Sequence, residues 1–289
     1  MDRNTSPHAM LVPWDWSTDD QPVELQPFLV QEWKHDGDSR KGEARPHRRR
    51  GEAKPPPTYL LKWGRDAIGE RVYSAVARHL NMPSTVVRWT TYPDLPEAAI
   101  RFEPDAWRPE DISVERGLAS LQGRVEFLLN PLDYYRHLAL SMVLGEYDGE
   151  EFMVRQQVLF RIDAASVGWT LAGKAFDLLG NKAAGKQADP SRRVRDFGRY
   201  ITSIQQHEPY GEQPFVETLQ YLAEWADLPD QVGAEILACP AVRSFILPKK
   251  MAQASKVPSR SMIPLIAEVA ASYLRQQQQA IKSALGQQW

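Results

Sequence analysis

Residues 148–163, DGEEFMVRQQVLFRID, constrain the fold more than any other stretch of this chain. An acidic cluster, Asp148, Glu150 and Glu151, leads into the apolar run 152–154. A polar break at 155–157 follows, and a second apolar run, 158–160, ends at Ile162 and Asp163. Two β-forming runs around a short polar break predict a hairpin. Paired antiparallel strands lie about 4.8 Å apart, so Asp148 and Asp163, at the open ends, could face one small volume. Paired carboxylates there suit Mg²⁺ and the phosphates of a nucleotide. The plainer alternative is a surface hairpin whose acids are solvated.

The segments on either side divide the chain. Residues 1–27 hold Pro7, Pro13, Pro22 and Pro27 with Trp14 and Trp16, and read as an irregular arm pinned by the two tryptophans. Runs rich in β-formers predict strands at 28–33 and 59–63. Between them lies a polar insertion, 34–57, that ends in three prolines. Ile68, Val72, Val76 and Leu80 share one face of a predicted helix over 65–80, which Asn81-Met82-Pro83 stops. Further strands are expected at 86–89 and 98–102. Beyond Pro109 the pattern turns helical, with amphipathic helices expected at 115–129 and 131–145. The hairpin comes next, then a Gly- and Ala-rich connection over 166–188. Helices are expected from 190 to 206, 213 to 227, 229 to 238 and 261 to 285. The domain reading is therefore an arm (1–27), a small α+β lobe (28–108) carrying the insertion, and a mainly helical lobe (109–289) carrying the hairpin. This is an α+β, two-lobed fold, and a nucleotide fits a cleft between such lobes.

Composition excludes several classes of function. The formal net charge of −2 over 289 residues excludes a uniformly basic nucleic-acid binder, so any basic function must be local. Residues 40–54 are strongly basic: Arg40, Lys41, Arg45, Arg48, Arg49, Arg50 and Lys54 stand against Glu43 and Glu52. It reads either as a solvated loop or as a contact for nucleic acid or an acidic protein through Arg45, Arg48, Arg49 and Arg50. The single Cys239 sits among apolar neighbours and reads as a small buried hydrophobe. The six histidines never approach zinc-ligand spacing. With no signal-peptide pattern and no apolar run of membrane-spanning length, a cytoplasmic location without membrane contact is expected.

Phosphoryl transfer needs a cation on the phosphates, metal ligands and a carboxylate beside the attacking hydroxyl. Lys62 ends the apolar strand Tyr59-Leu60-Leu61, where a lysine must pair or snorkel. Glu70 lies eight residues on, in the next helix, placed to hold that lysine.

These residues carry a resemblance. Tyr59-Leu60-Leu61-Lys62, Gly69-Glu70 and the run Val76-Ala77-Arg78-His79-Leu80-Asn81-Met82-Pro83 resemble the HipA-like kinase pattern. That pattern is an apolar strand ending in Lys, an Asn-Glu on the helix, then Leu-Ala-x-x-Leu-Gly-Leu-Pro. Asp148-Gly149 with Glu151-Phe152 is similar to that family's Asp-Gly-His-x-x-Asn-Phe catalytic loop, two residues shorter. Val158-Leu159-Phe160-Arg161-Ile162-Asp163 is similar to the Leu-Phe-His-Ile-Asp of phosphatidylinositol 3-kinase-like enzymes. Tyr273-Leu274-Arg275 is similar to the closing helix of HipA-like proteins. The resemblance spans about residues 25–285 and implies a kinase-like fold that binds ATP and Mg²⁺ and phosphorylates a hydroxyl, on a protein Ser/Thr or a small molecule. It implies that Lys62 grips the phosphates, Glu70 orients Lys62, Asp148 is the catalytic carboxylate, and Asp163 with Glu151 holds Mg²⁺. The chain departs from the pattern at Gly69 and Glu151, which stand where Asn is usual. No His follows Asp148, Ala164-Ala165 follow Asp163, and no Gly-rich loop precedes Lys62. These departures support the alternative of a pseudokinase, a catalytically inactive scaffold docking nucleic acid or a protein through the 40–54 loop.

Overall fold

Lys62 is buried because its strand is the middle one of five. A computed structural model of the chain describes residues 14, 28–33, 41–46, 59–62, 64–90, 98–101, 128–146, 151–168, 170–171, 174, 190–239 and 262–286. Strands β1 (Phe28–Trp33), β2 (Lys41–Pro46), β3 (Tyr59–Lys62), β4 (Val87–Trp89) and β5 (Ala98–Arg101) form an antiparallel sheet in the order β1-β2-β3-β5-β4. Lys62 is paired with Lys41 of β2 on one side and Ala98 of β5 on the other. Helix α1 (Gly64–His79) follows β3 almost at once. Its apolar stripe, Ile68, Val72 and Val76, is buried, as the four-residue spacing predicts.

The rest is mainly helical. Helix α2 (Asp133–Leu144) precedes the hairpin of β6 (Glu151–Arg155) and β7 (Val158–Ile162). Helices α3 (Pro190–His207), α4 (Pro209–Glu224), α5 (Leu228–Leu237) and α6 (Met262–Leu285) complete the described elements. Helix α6 packs against α3, α4 and α5, and α2 packs against α4. The molecule is thus α+β: mostly helix, with a small antiparallel sheet and a separate hairpin. Its buried apolar residues form one continuous cluster from α1 through α2 and the hairpin to α6. Among the described residues no helix is long and apolar enough to cross a membrane.

Two local expectations are corrected. Residues 41–46, placed by sequence within a loop-like insertion, form β2, which pairs with β1 and β3. The run KGEARP shows no apolar alternation, so periodicity cannot reveal it. It is a strand because the backbone groups of two flanking strands need partners. Arg45 pairs with Leu29 in that register, whereas Arg40, Arg48, Arg49, Arg50 and Lys54 lie outside the described residues. The helix expected at 115–129 does not reach its predicted end. Residues 128–130 are non-helical and run beside the hairpin turn, where the Leu129 N–H donates to the Gln157 carbonyl at 2.8 Å. Residues 115–127 lie outside the described set.

The hairpin turn itself comprises Gln156 and Gln157, both at positive φ (50° and 66°), between the paired Arg155 and Val158. Two left-handed residues match the twist of a two-residue hairpin loop. Trp14 reaches the same region. Its indole N–H donates to the Ser84 carbonyl at 3.1 Å, and its ring lies 4.8 Å from that of Phe160. Trp16 lies outside the described residues.

His137 of α2 sits fully buried at the centre of this junction. Its Nε2 lies 3.0 Å from the Pro83 carbonyl, which can only accept, so Nε2 carries the proton. Nδ1 then accepts from the Tyr73 hydroxyl at 2.9 Å. Burial, then the nearby Arg161 and Arg136, hold its pKa well below the usual 6.5. The native protein therefore refuses a proton that the unfolded chain accepts near pH 6.5. Stability from this group is present above that pH and is lost as pH falls below it, at up to about 1.4 kcal/mol per pH unit. Urea unfolding at pH 7.5 and 5.5 should show this loss, and His137→Gln should reduce it by about one proton's worth. An unchanged difference between the two pH values in the variant would exclude His137 as its source.

Candidate functional site

Three elements bring three charges together. Lys62 ends β3, Glu70 lies on α1, and Asp163 follows β7. The Lys62 ammonium donates to Glu70 Oε1 and, at 2.6 Å, to Asp163 Oδ1. Lys62 and Glu70 side chains are each only 1% exposed, whereas the Asp163 side chain is 34% exposed. The cluster has a buried floor and one member at the surface.

The route of Asp163 to Lys62 is set by backbone pairing. Arg161 N–H donates to the Pro83 carbonyl at 3.2 Å, and Thr85 N–H donates to the Arg161 carbonyl at 3.0 Å. The residues just after α1 are thereby laced to β7, two positions before Asp163. The buried Arg161 guanidinium lies 5.6 Å from the Phe152 ring centroid and 6.0 Å from that of Tyr73, within cation–π reach. Asp163 then adopts φ 51°, a left-handed conformation uncommon outside Gly, Asn and Asp. The chain turns there, and the Ala164 N–H hydrogen-bonds to Glu70. Both Lys62 and Glu70 are thus held by the same two-residue corner.

Gly69 makes that corner accessible. A Cβ at Gly69 would lie 2.5 Å from Gly168 N and 2.7 Å from the carbonyl oxygens of Ala164 and Ala165. These are backbone atoms, which cannot swing aside. The glycine before Glu70, a departure from the kinase-like pattern, lets α1 touch the segment after Asp163.

Asn130 fixes the hairpin's other side. Its amide donates to Asp133 Oδ2 and to the Leu159 carbonyl, both at 2.8 Å, and accepts from Leu159 N–H at 2.7 Å. Asp133 accepts from Arg136 at 2.7 Å, and Arg136 donates onward to the Leu80 carbonyl at 2.7 Å. Hairpin, α2 and the end of α1 are thus joined by one buried polar chain. Burial raises the Asp133 carboxyl, against the opposing pull of Arg136 and Asn130.

The electrostatics follow from burial and pairing. Burial works against the Lys62 ammonium, but Glu70 and Asp163 outweigh it and hold its pKa above the usual lysine value. Burial pushes the Glu70 carboxyl up, Lys62 pulls it back, and Asp163 adds a second upward push. Of the two carboxylates that Lys62 holds, Asp163 is the more exposed. Mg²⁺ is commonly held by one or two carboxylates together with substrate phosphates. Asp163 fits that demand. No group of three or more His, Cys, Asp or Glu occurs among the described residues, so a cage made wholly of protein ligands is not seen there.

Asp148 lies outside the described residues. The backbone of Glu151 pairs with Ile162, one residue before Asp163, and its side chain is not among those described. Asn130, Asp133 and the contacts of Arg161 were not singled out from sequence, and Gly69 was noted there only as a departure from the kinase-like pattern. A glycine before a helical Glu, or an Asn-Pro before a helix, carries no local signal of these contacts. A cavity of about 300 Å³ lies between α1 and α5, lined by Val76, His79, Gln231 and Glu235 among others, and shares no lining residue with the Lys62 cluster.

No protein-family model matches the chain, and no curated protein matches it. Among solved structures it is similar to the Helicobacter pylori proinflammatory kinase CtkA, at 11% identity and a TM-score of 0.49, over 91% of this chain and 99% of that one.

Alanine normally stabilises a helix interior relative to glycine, by about 0.5–1 kcal/mol. At position 69 the sign should reverse. Gly69→Ala must push α1 away from 164–168 and should cost about 1–3 kcal/mol, the range for overpacking, measured by urea unfolding. A neutral or stabilised variant would mean that helix and segment are not in contact.

Proposed function

We propose that this chain is a kinase-like protein that binds ATP with Mg²⁺ at the Lys62–Glu70–Asp163 cluster and transfers phosphate to a hydroxyl. The observation that carries this reading is a buried lysine held by a helix carboxylate and by a second, partly exposed carboxylate. A lysine fixed in this way is a preorganised cation for phosphate oxygens. Glu70 keeps the ammonium in place through its own burial and the Ala164 N–H. Asp163 would hold the metal ion, and Lys62, kept in place by Glu70, would meet the phosphate oxygens. Bound Mg²⁺ supplies neutralisation of the charge on the phosphates. In this reading Asp148 accepts the proton of the attacking hydroxyl, and Glu151 adds a metal contact. The sheet with α1 acts as a small lobe, the helices as a large one, and nucleotide lies at their junction. The acceptor is a protein Ser/Thr or a small molecule.

The inactive-scaffold reading has one observation in its favour: Lys62 is already satisfied by two carboxylates within the protein. Such a cluster also serves as a structural pin. A thermal-shift experiment separates the two. At nucleotide about a hundredfold above Kd, binding to the native state adds about 2.7 kcal/mol, roughly 4–5 °C for a chain of this size. ATP with Mg²⁺ should raise the melting temperature, ATP with EDTA should raise it less, and Asp163→Ala should remove the metal-dependent part. No shift in the wild type at millimolar ATP and Mg²⁺ would favour the scaffold.

A further inference from the structure

Helix α3 carries a charge pattern that the Lys62 cluster does not use. Its 18 residues include Arg192, Arg193, Arg195 and Arg199 against the single acid Asp196, in a chain of formal net charge −2. The first turn of the helix contains no acidic residue, and Asp189 directly precedes it in the sequence.

The helix geometry sorts these residues. At 100° per residue, Arg192, Arg195 and Arg199 fall within an arc of about 60°. All three are exposed, on the side away from buried Phe197, Ile201 and Ile204. Arg193 is directed elsewhere, donating to Gln276 at 2.8 Å and lying 5.3 Å from the Tyr273 ring centroid. Asp196 approaches Arg192 at 4.0 Å, in a pair whose side chains are 51% and 79% exposed. Such an exposed pair contributes little. Along one flank, seven residues apart, lie Tyr200, 50% exposed, and the exposed His207.

We propose that this face of α3 binds single-stranded nucleic acid. The arginine stripe matches a phosphate backbone, and the flanking rings offer flat faces on which unpaired bases can stack. A duplex keeps its bases stacked on each other, and an acidic peptide has no bases to stack, so neither would use Tyr200 and His207 in this way. RNA and DNA single strands share the chemistry that this face recognises.

The test is fluorescence anisotropy of the full chain with labelled oligo(dT) and oligo(U) of about 16 nucleotides, titrated at several salt concentrations. Affinity should fall with salt, with a log–log slope of about −0.7 per phosphate contacted. R192E/R195E/R199E should weaken binding at least roughly tenfold and flatten that slope. Tyr200→Ala should weaken it roughly tenfold with the slope unchanged, since stacking releases no counterions. The Tyr200→Ala effect should persist in an R48A/R49A/R50A background, which separates α3 from the basic 40–54 segment. Melting curves confirm that each variant is folded. Four results would overturn the proposal: no binding at low salt, unchanged affinity in folded R192E/R195E/R199E, unchanged affinity in folded Tyr200→Ala, or a duplex or polyglutamate bound as tightly as the single strand.

Discussion

The buried ammonium of Lys62 is the constraint around which this structure is arranged. A charge taken from water is tolerated only when paired and hydrogen-bonded. Lys62 has no access to water, being 1% exposed at the end of a strand flanked on both sides. Its two carboxylates must therefore come from elsewhere in the fold and arrive together. Glu70 comes with α1, which begins two residues after Lys62. Asp163 comes from 101 residues away and must be delivered by tertiary structure.

Delivery depends on a short backbone splice. The hairpin is laced to the segment after α1 through Arg161, Pro83 and Thr85. It is anchored to α2 through Asn130 and covered by Trp14. Helix α1 is braced from its far side. Arg71 pairs with Glu235 of α5 at 2.8 Å, and His79 stacks on Trp225 with ring centroids 3.8 Å apart. The helix that bears Glu70 is thereby fixed to the helical part of the molecule as well as to the sheet. Interlocked backbone and side-chain contacts of this sort hold charged groups in place without reorganisation when a ligand arrives, the basis of electrostatic preorganisation.

Legibility in the sequence tracked the range of the forces involved. The stripe of Ile68, Val72 and Val76 announced α1, and the apolar runs around Arg155-Gln156-Gln157 announced the hairpin, because helical and strand periods are written in neighbouring residues. Lys62 and Glu70 were legible as a pair because strand and helix adjoin in the chain. β2 was not legible: Lys41 to Pro46 shows no apolar alternation, and it becomes a strand because β1 and β3 leave backbone groups to be satisfied. Nor was the role of Gly69, since the backbone it must clear, at 164–168, is about a hundred residues distant.

The sequence by itself determined the inventory: a strand ending in lysine, a helix presenting a glutamate, and a hairpin ending in an aspartate. Each follows from local patterning and the need of a buried charge for a partner. Only the tertiary structure decided that Asp163 turns at a left-handed φ to meet Lys62 and that the Ala164 N–H completes the hold on Glu70. It alone showed that Gly69 is the residue that permits the approach. These depend on how closely two backbones pass, a distance of a few ångströms between segments remote in the chain, and no periodicity in the sequence encodes that distance.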